Sequence, residues 1–137
     1  MHLCKKGRGH VNRNLMIREA IESGESIEFL IEKGVALPDA KPAGRMITDT
    51  DTGSFIYLLD DGDQFLHIHF TEETWPLMAK SLQRGTDPHL TDGSSRMCLD
   101  RFTDELDMLV FNIEGNDNYG DGFSAAVEAA FHEILGA

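Results

Sequence analysis

Residues 53–70, GSFIYLLDDGDQFLHIHF, contain two apolar runs that meet at Asp61-Gly62. This dipeptide favours a two-residue type I′ turn, because glycine adopts positive φ freely and aspartate tolerates it. The stretch therefore predicts a β-hairpin over 54–70 in which Tyr57 faces Leu66. Alternation along both strands then places on one face a set of apolar side chains that must be covered, namely Phe55, Tyr57, Leu59, Leu66, Ile68 and Phe70.

The other face of this hairpin combines three apolar side chains with two histidines. Ile56, Leu58 and Phe65 alternate there with His67 and His69, and Ile56 is predicted to face His67. Exposed apolar side chains that lie together on one face mark a surface that a partner can cover. We therefore predict that Ile56, Leu58 and Phe65 form an interaction surface for a second copy of the chain or for a basic protein.

The two imidazoles of His67 and His69 offer an alternative function. Residues two apart on a strand are about 7 Å apart at the backbone, a spacing that zinc sites can use. A zinc site needs further ligands, which His89, His132 or a carboxylate would have to supply. Histidines that alternate outward on a strand are more often surface residues. A metal-binding protein or metal-dependent enzyme that uses His67, His69 and zinc is therefore the alternative hypothesis.

The second half of the chain predicts three helices, which cover residues 74–84, 103–114 and 122–135. Pro76 is tolerated in the first turn of a helix, and Thr103 is a suitable N-cap. In the second helix, Met108 and Phe111 widen an apolar stripe. The pattern over 16–32 fits both a helix and two short strands, and we favour the strands. The fold predicted from these elements is α+β, with an antiparallel sheet built around hairpin 54–70.

The distribution of charge divides the chain. It has 12 Lys and Arg against 24 Asp and Glu, a net charge of −12. Residues 1–15 are basic and predict a disordered arm, or a leader upstream of a start at Met16. Residues 16–137 predict a single acidic domain, which repels the phosphates of a nucleic acid. With two cysteines and no apolar run long enough for a membrane span, we expect a cytoplasmic protein without a membrane partner.

Three segments carry a family resemblance: RMITD at 45–49, TWP at 74–76 and NIEGNDNYG at 112–120. They resemble a family of small uncharacterised cytosolic proteins from bacilli, and the resemblance runs from residue 16 to about residue 131. It implies a bacterial cytosolic domain with strands first and helices last. It transfers no catalytic residue, because the family has no assigned activity.

No motif in the sequence points to catalysis. The chain has no nucleophile elbow, glycine-rich phosphate loop, CxxC pair or HExxH helix. We therefore assign no catalytic or cofactor-binding residue. The sequence favours a small, acidic, non-catalytic interaction domain, either a homo-oligomer or the partner of a basic protein.

Overall fold

The computed structural model of the chain describes residues 13–24 and 26–136. The basic arm predicted over 1–15 lies outside the described residues except for its last three. The first strand already begins at Asn14, two residues before Met16. Leu15 is 5% exposed and belongs to the hydrophobic core. The described fold therefore starts at or before Asn14.

Seven strands form one sheet: β1 (Asn14–Ser23), β2 (Ser26–Ile31), β3 (Lys41–Asp49), β4 (Ser54–Asp60), β5 (Phe65–Phe70), β6 (His89–Thr91) and β7 (Arg96–Cys98). Their spatial order is β3-β4-β5-β1-β2-β6-β7. The region 16–32 is thus formed by strands, as favoured from its alternating pattern. β6 is a strand that the sequence pattern did not reveal.

The prediction of an antiparallel sheet built around hairpin 54–70 is wrong. The sheet is mixed and curls into a half-barrel, because β1 runs parallel to β5 and β2 runs parallel to β6. The hairpin leaves one edge of β5 unpaired, and β1 supplies the missing backbone hydrogen bonds there. Such pairing joins strands that are remote in sequence, and the alternation within each strand does not encode it.

The turn of the hairpin also differs from the predicted two-residue turn. The loop has four residues, 61–64, and the backbone N–H of Asp61 donates to the carbonyl of Gln64 at 3.1 Å. The carboxylate of Asp60 accepts a hydrogen bond from the N–H of Gly62, and that of Asp61 accepts from the N–H of Gln64. These side-chain acceptors stabilise the longer loop, an effect that Asp commonly has in turns.

The longer loop shifts the strand register by two residues. Tyr57 faces Ile68, and Ile56 faces His69. Because side chains alternate between the two faces with a period of two, this shift leaves every side chain on its predicted face. The predicted core face is confirmed: its six apolar side chains are at most 2% exposed.

The helices are α1 (Trp75–Arg84), α2 (Phe102–Ile113), α3 (Asp121–Ala130) and α4 (His132–Leu135), with 3-10 turns at Glu72–Thr74 and Asp117–Tyr119. The predicted helix 122–135 is therefore two helices, and the break falls at Phe131, whose φ of −108° and ψ of 24° leave the helical region. Thr103 is not an N-cap, because α2 begins one residue earlier with Arg101 at its cap.

Aromatic side chains from the helices cover the core face of the hairpin. Phe55 lies 5.3 Å from Trp75 and 5.9 Å from Phe131, measured between ring centres. Trp75 is 1% exposed, and its indole N–H donates to the carbonyl of Phe70 at 3.0 Å. The helices therefore leave the opposite face of the hairpin outside the core.

Candidate interaction surface

The register places side chains from four strands in one row on the face opposite the core. Ile47 faces Ile56, Ile56 faces His69, and His69 faces Met16. Leu58 and Phe65 occupy the next two rows on the same face, since residues two apart on a strand share a face. The apolar members of these rows form the outer patch, which consists of Met16, Ile47, Ile56, Leu58 and Phe65.

The outer patch has a buried floor and an accessible margin. Ile56 and Leu58 are only 4% and 5% exposed, although neither belongs to the core cluster. Met16, Ile47 and Phe65 are each 38% exposed. Of the three residues predicted as the interaction surface, Phe65 is accessible, whereas Ile56 and Leu58 are buried. Met16 and Ile47 are also accessible members of the patch. The sequence of the hairpin alone could not predict them, because they lie on β1 and β3.

The charged residues around the outer patch are balanced. Lys41 faces Asp60 across the β3–β4 ladder. Arg45 lies two residues before Ile47, and Asp49 lies two residues after it. The guanidinium of Arg45 lies 5.9 Å from the ring centre of Phe65, within the range of a cation–π contact. On β3 and β4, two basic and two acidic side chains therefore border the patch, in a chain whose net charge is −12.

The edge of the sheet next to the outer patch is closed to a further strand. β3 is an edge strand, and Pro42 within it has no N–H to donate. The N–H of Met46 donates to Glu105 at 2.9 Å, and that of Gly44 donates to the hydroxyl of Tyr57 at 3.3 Å. These two N–H groups are therefore not available to hydrogen bond with a partner strand. The accessible feature is therefore the face of the sheet.

His67 and His69 lie on the outer face, as predicted, but their environments differ. His69 is 7% exposed, and its Nε2 donates to Oδ1 of Asn14 at 2.8 Å. The other ring nitrogen, Nδ1, is buried and has no hydrogen-bond partner among the described residues. Burial lowers the pKa of His69, and repulsion from His67 lowers it further, while Asp49 opposes both. These effects favour a neutral imidazole at this position.

The two imidazoles lie farther apart in this structure than two ligands of one zinc ion. Their ring centres are 6.4 Å apart, whereas two imidazoles on one tetrahedral zinc ion have ring centres roughly 5 Å apart. Nε2 of His69 is already hydrogen bonded to Asn14. No group of three or more His, Cys, Asp or Glu that could hold a metal occurs among the described residues. The residues that the structure describes therefore indicate no metal-binding role.

Helix α2 presents a second accessible apolar surface, formed by side chains that the sequence pattern predicts to be buried. Met108 and Phe111 were expected to widen the buried stripe, but they are 51% and 47% exposed. The side chains that α2 does bury are Phe102, Leu106, Val110 and Ile113. Their spacing of three or four residues already defines one face of a helix, and it excludes Met108 and Phe111 from that face. The same spacing in the sequence could have shown this.

No helix within the described ranges has both the length and the apolar character needed to cross a membrane.

Comparison with known proteins identifies relatives along most of the chain. A UPF0738 protein of Lysinibacillus sphaericus is 45% identical over 111 residues, which cover 81% of this chain and 87% of the relative. A UPF0738 protein of a Geobacillus strain is 35% identical over 118 residues, covering 85% and 95%. One from Staphylococcus haemolyticus is 40% identical over 88 residues, covering 64% and 72%. No solved structure matches the chain.

The model of a family of unknown function, UPF0738, matches residues 15–131. The resemblance to uncharacterised bacterial proteins is therefore confirmed, and no activity comes with it. The matched range includes every residue of the outer patch and all of α2. The chain belongs to UPF0738, a family of unknown function.

Proposed function

We propose that the chain is a non-catalytic interaction domain that forms a homodimer through its outer patch. The observation that carries this proposal is the accessible apolar margin of the patch. Met16, Ile47 and Phe65 are each 38% exposed around the floor made by Ile56 and Leu58. Apolar side chains grouped in this way on one face gain stability when a partner removes them from water.

The charge balance favours a second copy of the chain as the partner. A basic protein would gain little at a patch that Lys41 and Arg45 border as well as Asp49 and Asp60. Two copies of a chain with a net charge of −12 repel each other over most of their surfaces. At the outer patch the two basic and two acidic side chains of β3 and β4 reduce this repulsion. A two-fold axis would bring the same patch of both copies together, so that the basic side chains of one copy can pair with the acidic side chains of the other.

The size of the patch predicts a reversible dimer. Four strands about 4.8 Å apart and three rows of side chains about 6.8 Å apart span roughly 400 Å² per copy. The two copies would then bury at most roughly 800 Å² in total, which is below the roughly 1,200 Å² of a stable specific interface and in the range of weak, transient contacts. Because β3 is closed to edge pairing, we expect the sheets to stack face to face.

Sedimentation equilibrium over a wide range of protein concentration tests this function. We expect the wild-type chain to approach twice the mass of one chain, and Phe65→Asp or Ile47→Asp to keep the mass of one chain. Met108→Asp is the matched control, since it places the same charge at an exposed apolar residue on α2. Wild-type protein that stays at the mass of one chain would contradict the proposal. So would dimers that Phe65→Asp and Ile47→Asp leave unchanged.

We also propose a cytoplasmic location. Cys98 is exposed and is not in a disulfide, and exposed thiols of this kind persist in reducing compartments. Fractionation of the producing cells with an antibody to the chain tests the location. Recovery in the culture medium or the membrane fraction would contradict it.

A further inference from the structure

The outward face of α2 combines acidic and large apolar side chains. Asp104, Asp107, Met108 and Phe111 follow one another at spacings i, i+3, i+4 and i+7, which places them on one face of a helix. This face points away from the buried stripe of the same helix. Met108 and Phe111 are the two most exposed large hydrophobic side chains among the described residues. They form a small apolar surface bordered by carboxylates.

Within residues 13–24 and 26–136, the carboxylates of this face have no basic partner in an ion pair. Among the ion pairs of the described residues, none includes Asp104, Asp107 or Glu114. Arg101 precedes the helix, but its guanidinium pairs with Glu105 at 3.5 Å. The helix itself contains no Lys, Arg or His. The α2 face, defined here as Asp104, Asp107, Met108, Phe111 and Glu114, therefore carries only negative charge.

We infer that the α2 face binds a basic, amphipathic segment of a partner protein. Lysine or arginine side chains of that segment would pair with Asp104, Asp107 and Glu114, and its apolar side chains would pack on Met108 and Phe111. Methionine suits such a surface, because its flexible thioether adapts to different partners. A second copy of this face is a poor partner, since three carboxylates of one copy would meet three of the other.

This inference does not depend on the proposed dimer. The outer patch lies on the face of the sheet opposite the core, whereas the α2 face lies on the outside of a helix that covers the core. The outer patch has a balanced border, and the α2 face has an acidic one. A dimer formed through the outer patch would leave both α2 faces accessible, so each surface can be tested while the other is intact.

A labelled amphipathic helix of Leu and Lys, about 15 residues long, is a suitable probe. Its binding to the full chain is measured by fluorescence anisotropy and mapped by chemical-shift changes in the backbone amides. We expect the largest shift changes within 104–114. Phe111→Ser should weaken binding at least about tenfold, as loss of a central apolar contact does. Asp104→Asn with Asp107→Asn should weaken binding and reduce its dependence on salt.

Matched variants separate a specific site from general attraction to an acidic chain. Asp60→Asn with Asp63→Asn removes the same charge at the hairpin loop, and Phe65→Ser removes an exposed aromatic ring from the outer patch. Both should bind the probe as the wild type does. Equal weakening by the control variants, or shift changes spread over the acidic surface, would overturn the inference.

The chain's own basic residues provide a further arm of the experiment. Lys5→Glu, Lys6→Glu and Arg8→Glu are combined in the full chain. Unchanged binding of the probe by this variant supports a partner protein as the occupant. Stronger binding would show that residues 1–12 compete for the α2 face, and it would overturn the inference of a separate partner.

Discussion

Ile56 lies directly opposite His69 in the β4–β5 ladder, and both side chains are on the outer face of the sheet. They are 4% and 7% exposed. An imidazole is thus held in the floor of an apolar patch, and Asn14 satisfies only one of its two nitrogens. Because of this relationship, we expect the stability of the domain to depend on pH. The same relationship places the histidine within the proposed dimer surface.

His69 should make the domain less stable as the pH falls below neutrality. Its pKa in the folded chain is lower than the ordinary value of 6.5, first because of burial and then because of His67. Below pH 6.5 the unfolded chain therefore takes up this proton before the folded chain does. The resulting loss of stability begins near pH 6.5, ends below the folded pKa, and cannot exceed about 1.4 kcal/mol per pH unit for one proton.

Urea unfolding between pH 7.5 and 5.5, followed by the fluorescence of Trp75, measures this effect. His69→Gln should remove most of the pH dependence, because glutamine does not titrate. His132→Gln is the control, since His132 is exposed on α4. A pH dependence that is the same in the wild type and in His69→Gln would show that another group is responsible.

The hydroxyl of Tyr57 connects the core to strand β3 and to the turn that precedes α2. It donates to the carbonyl of Asp100 at 2.6 Å and accepts from the N–H of Gly44 at 3.3 Å. Tyr57→Phe leaves both backbone groups without this partner, and we expect the free energy of unfolding to fall by about 1–3 kcal/mol. Tyr119→Phe removes a less buried hydroxyl and should have a smaller effect. Equal stability of Tyr57→Phe and wild type in urea would contradict this account.

Asp87 caps α2 from outside the helix. Its carboxylate accepts hydrogen bonds from the backbone N–H groups of Arg101 and Thr103 and from the hydroxyl of Thr103, all at 3.0–3.1 Å. Asp87→Ala should lower the free energy of unfolding by about 1–2 kcal/mol, which is the usual effect of losing an N-cap acceptor.

Asp87→Asn tests whether the acceptor is the cause of that loss. Asparagine keeps one side-chain oxygen, so it should recover part of the stability lost in Asp87→Ala when both are unfolded in urea. If the two variants lose the same amount, the capping hydrogen bonds to Thr103 do not explain the effect.

Alternation in the sequence was sufficient to predict the two faces of the hairpin. Tyr57 and Ile68 are buried as expected, although the loop is two residues longer than the Asp61-Gly62 dipeptide suggested. A two-residue shift preserves the faces, so this error did not affect the predicted core. The local pattern could not predict that β1 would pair with β5, because no residue within 54–70 specifies a partner from 14–16.

Only part of the candidate surface could be predicted, because the local pattern within the hairpin does not specify which other strands pair with it. Phe65, Ile56 and Leu58 lie on the predicted face, but Met16 and Ile47 join them only through pairing with other strands. For α2 the information was present in the sequence, because the spacing of its buried side chains leaves Met108 and Phe111 outside.

The most direct test of the proposed dimer is an isotope-filtered NOE experiment on a mixture of labelled and unlabelled full chains. We expect contacts between copies from the methyl groups of Met16 and Ile47 and from the ring of Phe65. Contacts between copies at other surfaces, or none at concentrations near the solubility limit, would contradict the assignment of the outer patch as a dimer interface.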